Sequence, residues 1–322
     1  MLTELRSALG RVTEALARAP LDDARGAGSE HEPSLAQLYG ARAAELELEA
    51  ALAEQIGRPG FAALARRRHA LGNLPEWPEA GRLARHWARA AHAPSNAAAE
   101  PRFASDDARA AHSLLRLLCE QIGRLKLPVR VVPVPELASR AATGDGLIYV
   151  RAGVQLTARE ALRIARHEVF AHALPRVRAR EQALGLWRVG SAGAGADEEG
   201  RALLLEERFG DLDAERRREL GLRHLTALAV LDGADAHDCL RLLADFACAP
   251  AQAVWLYARC ARGTAAPGGG LCRELEYLPA WLRVSAAFQT DPTLEAWLAA
   301  GRLSLTAARA LRARAWQPSA SA

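Results

Sequence analysis

Two histidines five residues apart, in a stretch with helical patterning, are the tightest constraint on this chain. Residues 166–172 read Arg166-His167-Glu168-Val169-Phe170-Ala171-His172, an HExxxH sequence. At 100° per residue, a five-residue step leaves the two side chains about 140° apart on a regular α-helix. They share a face only if the helix widens locally to i→i+5 hydrogen bonding, and such π-bulges concentrate at functional sites. The motif therefore predicts a particular backbone distortion. The competing reading is a buried histidine pair on an amphipathic helix, with Glu168 at its edge.

Glu198-Glu199-Gly200 follows on a second expected helix at about 196–209, after a glycine-rich stretch over Gly190 to Gly195. Two imidazoles and a later carboxylate form the ligand set of a catalytic zinc site, which leaves a fourth position for water. His167, His172 and Glu199 are the candidate ligands for Zn2+, and Glu198, Glu206 and Glu207 compete for the third place. Glu168, between the histidines, is the candidate catalytic base, taking the proton of water and later delivering it to a leaving amine. Each histidine also needs an acceptor for its second ring nitrogen. Asp197 and Glu198 are available for that.

Alanine, leucine and arginine dominate and β-branched residues are sparse, which favours a mainly α protein. Apolar periodicity predicts helices over 1–18, 34–57, 61–71, 79–92 and 105–124, the last with Asp106 and Asp107 in its first turn. Residues 129–134 and 146–151 are short β-rich runs, giving a small β element just before the motif helix. That helix starts near Thr157, with Glu160 completing a capping box. The expected class is α+β, arranged as an N-terminal helical region (1–125) and a catalytic region (126–322) packed as one unit.

The 322 residues carry a net charge of only +4, with arginines alternating with acidic residues as on solvated helix faces. Arg66–Arg68 and Arg216–Arg218 are too short to make a nucleic-acid surface. Five cysteines without CxxC spacing read as buried free thiols in a reducing compartment. No signal peptide or membrane span is evident, so a cytoplasmic protein with neither nucleic-acid nor membrane partners is expected. The oligomeric state is left open.

Several runs together are similar to one family. They are Val131-Val132-Pro133, Ser139 with Ala141-Ala142-Thr143-Gly144, and Ile148-Tyr149-Val150-Arg151. They continue with the HExxxH stretch, Glu198-Glu199-Gly200-Arg201-Ala202, and Gly268-Gly269-Gly270 through Tyr277-Leu278. This set resembles the tyrosine/phenylalanine carboxypeptidase family, whose bacterial members are also called flavohemoglobin expression-modulating QEGLA-motif proteins. Its eukaryotic relatives include the microtubule-associated tyrosine carboxypeptidases.

The resemblance implies a zincin-like zinc metallopeptidase that removes a C-terminal residue, tyrosine or phenylalanine, from a peptide or protein. It implies His167, His172 and Glu199 as ligands and Glu168 as the catalytic glutamate. Departures fall at Phe170-Ala171, where the family commonly has Gly-Thr, and at Arg201, Cys272 and Glu274. Phe170 and Arg201 are expected to reshape the pocket.

A carboxypeptidase must hold the terminal carboxylate, and an arginine fork suits that. Arg151, Arg262 and Arg273 are candidates because they lie in or beside the family-like segments. Tyr149 and Tyr277 are candidates for contacting the substrate or its oxyanion; Trp187, Trp255, Trp281 and Trp297 read as packing residues, with lining the cleft a second option for Trp187 alone. Two alternatives remain: another HExxxH zinc peptidase such as a dipeptidyl-peptidase, and a regulatory binding protein that keeps the fold without turnover.

Overall fold

The computed structural model describes residues 32–71, 76–90, 100–264 and 269–319, together with residues 4, 7–12 and 14. Those isolated N-terminal residues are helical. The remainder of the helix expected over 1–18, the Gly26–Gly28 break, most of the linker at 92–101 and Pro267-Gly268 lie outside the described residues.

The chain is mainly helical with a few short strands. Helix α1 (Leu35–Glu54) starts at a Ser34–Gln37 capping box. Helix α2 (Phe61–Leu71) and helix α3 (Trp77–Arg89) follow. The helix expected from residue 105 begins nine residues later, as α4 (Leu114–Arg124), capped by Ser113. Upstream of it, strand β1 (Arg102–Ala104) had no alternating pattern to reveal it, being only three residues long. Asp106 and Asp107 work in the turn after β1 and not in a helix. Asp106 accepts a hydrogen bond from the Gly153 amide, and Asp107 accepts from the amides of Arg109 and Ala110. Side-chain-to-backbone bonds of this kind compete with helix formation.

Four more strands precede the motif helix: β2 (Arg130–Val134), β3 (Ala141–Thr143), β4 (Leu147–Arg151) and β5 (Gln155–Thr157). In the order β2-β4-β3, β2 runs parallel and β3 antiparallel to β4, while β5 pairs with β1. The buried side chains Ile148 and Val150 of β4 alternate with half-buried neighbours. They pack with Leu114, Leu118, Ile164 and Val169 into one apolar cluster. The small sheet is thereby fixed against α5 (Ala158–Arg166), the helix that leads into the histidine motif.

After a short helix α6 (Leu174–Arg178), the chain builds α7 (Ala194–Arg208) and α8 (Ala214–Leu231). There follow α9 (Ala236–Ala244), α10 (Pro250–Cys260), α11 (Tyr277–Thr290), α12 (Leu294–Ala299) and α13 (Leu305–Ala313). Helix α3 lies along α8, and α7 lies along α11. Trp187 is a packing residue, as expected, and not the cleft residue its place between the motifs also allowed: it is fully buried and stacks on Trp297, with ring centroids 5.8 Å apart. Its large apolar area serves the core shared by α1, α12 and α13. None of the five cysteines is paired, and four are buried; Cys119 is exposed, contrary to the buried-thiol expectation.

His224 on α8 is buried, and its Nδ1 has no hydrogen-bond partner. Burial, reinforced by Arg85, pushes its imidazole down to about 4, against 6.5 for a free histidine. The unfolded chain binds this proton below pH 6.5, whereas the folded protein resists it down to pH 4. Stability from this group is therefore complete above pH 6.5 and lost as pH falls through that window. Denaturant unfolding at pH 7 and pH 4.5 should show wild type losing about 2–3 kcal/mol more than His224→Leu on acidification. Equal losses in the two proteins would remove His224 as a source of acid sensitivity.

Candidate metal centre

Helix α5 starts at Thr157. The Thr157 hydroxyl accepts from the Glu160 amide, and the Glu160 carboxylate accepts from the Thr157 amide at 2.9 Å. This capping box fixes the phase of the helix before the histidines arrive. Residues His167–Ala173 then form a π-helical segment, in which the Leu174 amide bonds to the Val169 carbonyl five residues back. The widened turn rotates His172 onto the face of His167. Their Nε2 atoms lie 3.2 Å apart, and the rings meet edge to face.

The widened turn has an identifiable support. Pro175 follows it and has no N–H. The carbonyl four residues before Pro175, on Ala171, and the one five before, on Phe170, therefore lose their α- and π-register donors. Arg201 supplies both, donating from one terminal nitrogen to Ala171 O at 2.6 Å and Phe170 O at 3.2 Å. The Phe170 ring packs on Phe209. Neither Phe170 nor Arg201 reaches the cavity, so these two departures from the family pattern act on the backbone and the core. That corrects the expectation that they reshape the pocket.

Helix α7 carries the carboxylates. Glu199 and Glu206 are seven residues apart, two turns on one face. Glu199 Oε2 lies 3.5 Å from His167 Nε2 and 3.9 Å from His172 Nε2. Glu206 takes the other side of His167, 2.8 Å from Nδ1, and is held by a two-pronged contact from Arg216. Glu198 Oε2 stands 3.5 Å from His172 Nδ1. Asp197 turns away to Arg283 and the Leu305 amide, and Glu207 points outward to Arg217.

Gly200 explains how α7 comes so near. A Cβ there would stand 2.5 Å from the Ala280 carbonyl oxygen, so α7 and α11 touch backbone to backbone. Any side chain at this position would lift the carboxylates away from the histidines.

The donor set fits a small divalent cation. His167, His172 and Glu199 bring one ligand atom each into a group within 4.8 Å of one another. Bonds of about 2.0–2.1 Å at tetrahedral angles put donor atoms about 3.3 Å apart, close to the separations present here. Glu199 Oε2, the carboxylate oxygen facing both imidazoles, is buried with no hydrogen-bond partner, a costly arrangement unless an ion or water satisfies it.

Electrostatics point the same way. Burial opposes charge on His167, but the carboxylates of Glu199 and Glu206 on either side of the ring outweigh it and push the imidazole up to about 10. Against their own burial, His167 and Arg216 hold these two carboxylates far below the usual range. The pocket is built to hold positive charge, whether as a proton on His167 or as a cation among the three donors.

Glu168 is buried beside this group, and the Thr143 hydroxyl donates to its Oε2 at 2.7 Å. Both line a cavity of about 200 Å³, together with the three donors. Arg262, Arg273 and Tyr277 also line it. Tyr149 and Arg151 do not: Tyr149 sits beside Gly144, and the Arg151 carbonyl accepts from Ser105. Thr143 and Arg163 are site residues that the sequence reading did not single out. Arg163 left one signal, its position four residues before His167 on a helix.

Replacing Arg201 with Met should cost about 2–3 kcal/mol through two orphaned carbonyls. It should also weaken binding of a divalent cation at the three donors about 10–100-fold, as loss of a residue supporting a ligand does. Urea unfolding and competition with a chromophoric chelator read the two effects, and Arg201→Lys should recover part of each. Unchanged cation affinity in a destabilised Arg201→Met protein would show that Arg201 serves the fold alone.

A search of curated proteins and of solved structures finds no match. The family model described as "Microtubule-associated tyrosine carboxypeptidase" matches residues 5–319, nearly the whole chain. Spanning the cavity, the three donors and the helices that carry them, that match shows that the chain belongs to the microtubule-associated tyrosine carboxypeptidase family.

Proposed function

We propose that the protein is a zinc-dependent metallocarboxypeptidase with a zincin-like site, removing a single residue from the C-terminus of a peptide or protein. The observation that carries this reading is the convergence of His167, His172 and Glu199 in one cavity with a separate buried carboxylate, Glu168. The family membership supports the same reaction class. Unpaired cysteines fit a reducing compartment such as the cytoplasm. Among the described residues, no helix is long and apolar enough to cross a membrane.

Imidazole and carboxylate donors suit Zn2+, which when bound supplies Lewis acidity to the scissile carbonyl and acidifies water. The remaining work belongs to side chains of this chain. Thr143 fixes one oxygen of Glu168, leaving the other to take a proton from the attacking water. As the C–N bond breaks, Glu168 returns that proton to the leaving amine, which departs as the free terminal residue. Burial and the nearby Glu199 push the Tyr277 hydroxyl well above its usual range. It stays a neutral donor, suited to the oxygen that gains charge in the transition state. Arg273, 3.7 Å from Glu199 and partly open to solvent, is placed to hold the terminal carboxylate, with Arg262 on the same wall.

Purified protein should bind one zinc per chain, and His172→Ala should lose it. Glu168→Gln should retain zinc while its peptidase rate falls by about 10²–10⁴. A peptide blocked at its N-terminus should be shortened by one residue, and the same peptide as a C-terminal amide should survive. Release of N-terminal dipeptides, or full activity in Glu168→Gln, would overturn the reading.

A further inference from the structure

The chemistry of the cavity wall bears on which residue is released, an inference that rests on the carboxypeptidase reading above. One guanidinium fork is enough for a terminal carboxylate. The cavity nevertheless presents eight arginines, against Glu168, Glu198 and Glu199 as its only acidic lining residues.

Their acidic partners are shared. Glu274 Oε1 serves both Arg259 and Arg262, and Glu219 serves both Arg216 and Arg223. Arg163 has the least. It is only 9% exposed, and among the described residues its side chain makes no hydrogen bond. Its nearest carboxylate is Glu206, 4.0 Å away, which already accepts from Arg216 and faces His167. Its guanidinium opens onto the cavity, where an anion would give it a charge-assisted contact that water does not. Arg140, also on the wall, has one ion pair, to Glu160 at 3.4 Å, and shares that carboxylate with Arg102.

The position of Arg163 relates this excess charge to the reaction. It lies four residues before His167 on α5, one turn or about 6 Å along the helix axis. An anion held there sits next to the metal donors, within reach of a side chain on the residue being released. Apolar cover is scarce by comparison. An aromatic side chain buries about 150–250 Å², and the only aliphatic lining residues are Ala141, Ala142 and Ile164.

We propose that the site prefers to release a C-terminal residue bearing a side-chain carboxylate, glutamate or aspartate, held by Arg163 with help from Arg140. This differs from the aromatic preference that the family resemblance implies. Arginine faces can stack on aromatic rings, so tyrosine is the competitor that the experiment must include.

Calorimetric titration of free L-glutamate, L-glutamine and L-tyrosine into the zinc-loaded protein tests the recognition without turnover. Glutamate should bind at least tenfold more tightly than either of the others. That preference should shrink to about twofold in Arg163→Gln and be partly kept in Arg163→Lys. Arg140→Gln should weaken glutamate binding as well, which keeps the test alive if Arg163→Gln fails to fold.

N-terminally blocked peptides differing only in their last residue give the parallel kinetic comparison. Equal binding of glutamate and glutamine, tighter binding of tyrosine, or an undiminished preference in a folded Arg163→Gln protein would overturn the proposal. Faster cleavage of tyrosine-ended peptides would overturn it too, while leaving the carboxypeptidase reading intact. Tight, Arg163-dependent glutamate binding with no peptide shortened would uphold the acidic subsite and remove the carboxypeptidase reading.

Discussion

The widened turn at His167–Ala173 is the constraint from which the site follows. Without it, two histidines five residues apart face different directions, and no carboxylate from another helix can meet both. A π-helical segment is a strained and uncommon conformation, and here it is held from both ends and from the side. The Thr157 capping box fixes the helix before it, and Pro175 prevents regular hydrogen bonding after it. Arg201 donates to the two carbonyls that Pro175 leaves without partners. The same arginine lies on the helix that carries Glu199, so the backbone distortion and the third donor are tied together by one side chain.

Helix packing sets the remaining distances. Glycine at position 200 lets α7 lie directly against the backbone of α11. Two turns of α7 then present Glu199 to both imidazoles and Glu206 to the far side of His167. Arg216, reaching across from α8, holds Glu206 in place. The result is a chain of alternating charges, from Arg216 through Glu206 and His167 to Glu199. Each member lowers the cost of burying its neighbour. At its end, where the donor atoms converge, the chain favours a positive charge.

Away from the donors, the cavity has the opposite bias. Its arginines share few carboxylates, and Arg163 lines it with its nearest carboxylate, Glu206, 4.0 Å away. A pocket of this kind selects its ligand by charge more than by apolar area, since the desolvation of guanidinium groups is already spent in the folded protein. Glu168, clamped by Thr143, lines the same cavity as the anionic donor set and the arginines.

The sequence alone determined the histidine spacing and the π-bulge it demands, the capping box at Thr157, and the strands over 130–134 and 147–151. These are local matters: periodicity, caps and donor types are written in neighbouring residues. It misjudged the segment at 102–113, where a three-residue strand is too short to show a period and aspartates serve a turn. It also placed Phe170 and Arg201 toward the pocket, while they belong to the core and to the backbone of the widened turn. The tertiary structure decided which acid faces which imidazole: Glu206, 39 residues from His167, became its hydrogen-bond partner, and Asp197 turned away. It also decided which arginines line the cavity, because that depends on how far α7, α8 and α10 approach α5. Such distances are set by close contacts like Gly200 against Ala280, which no run of neighbouring residues encodes.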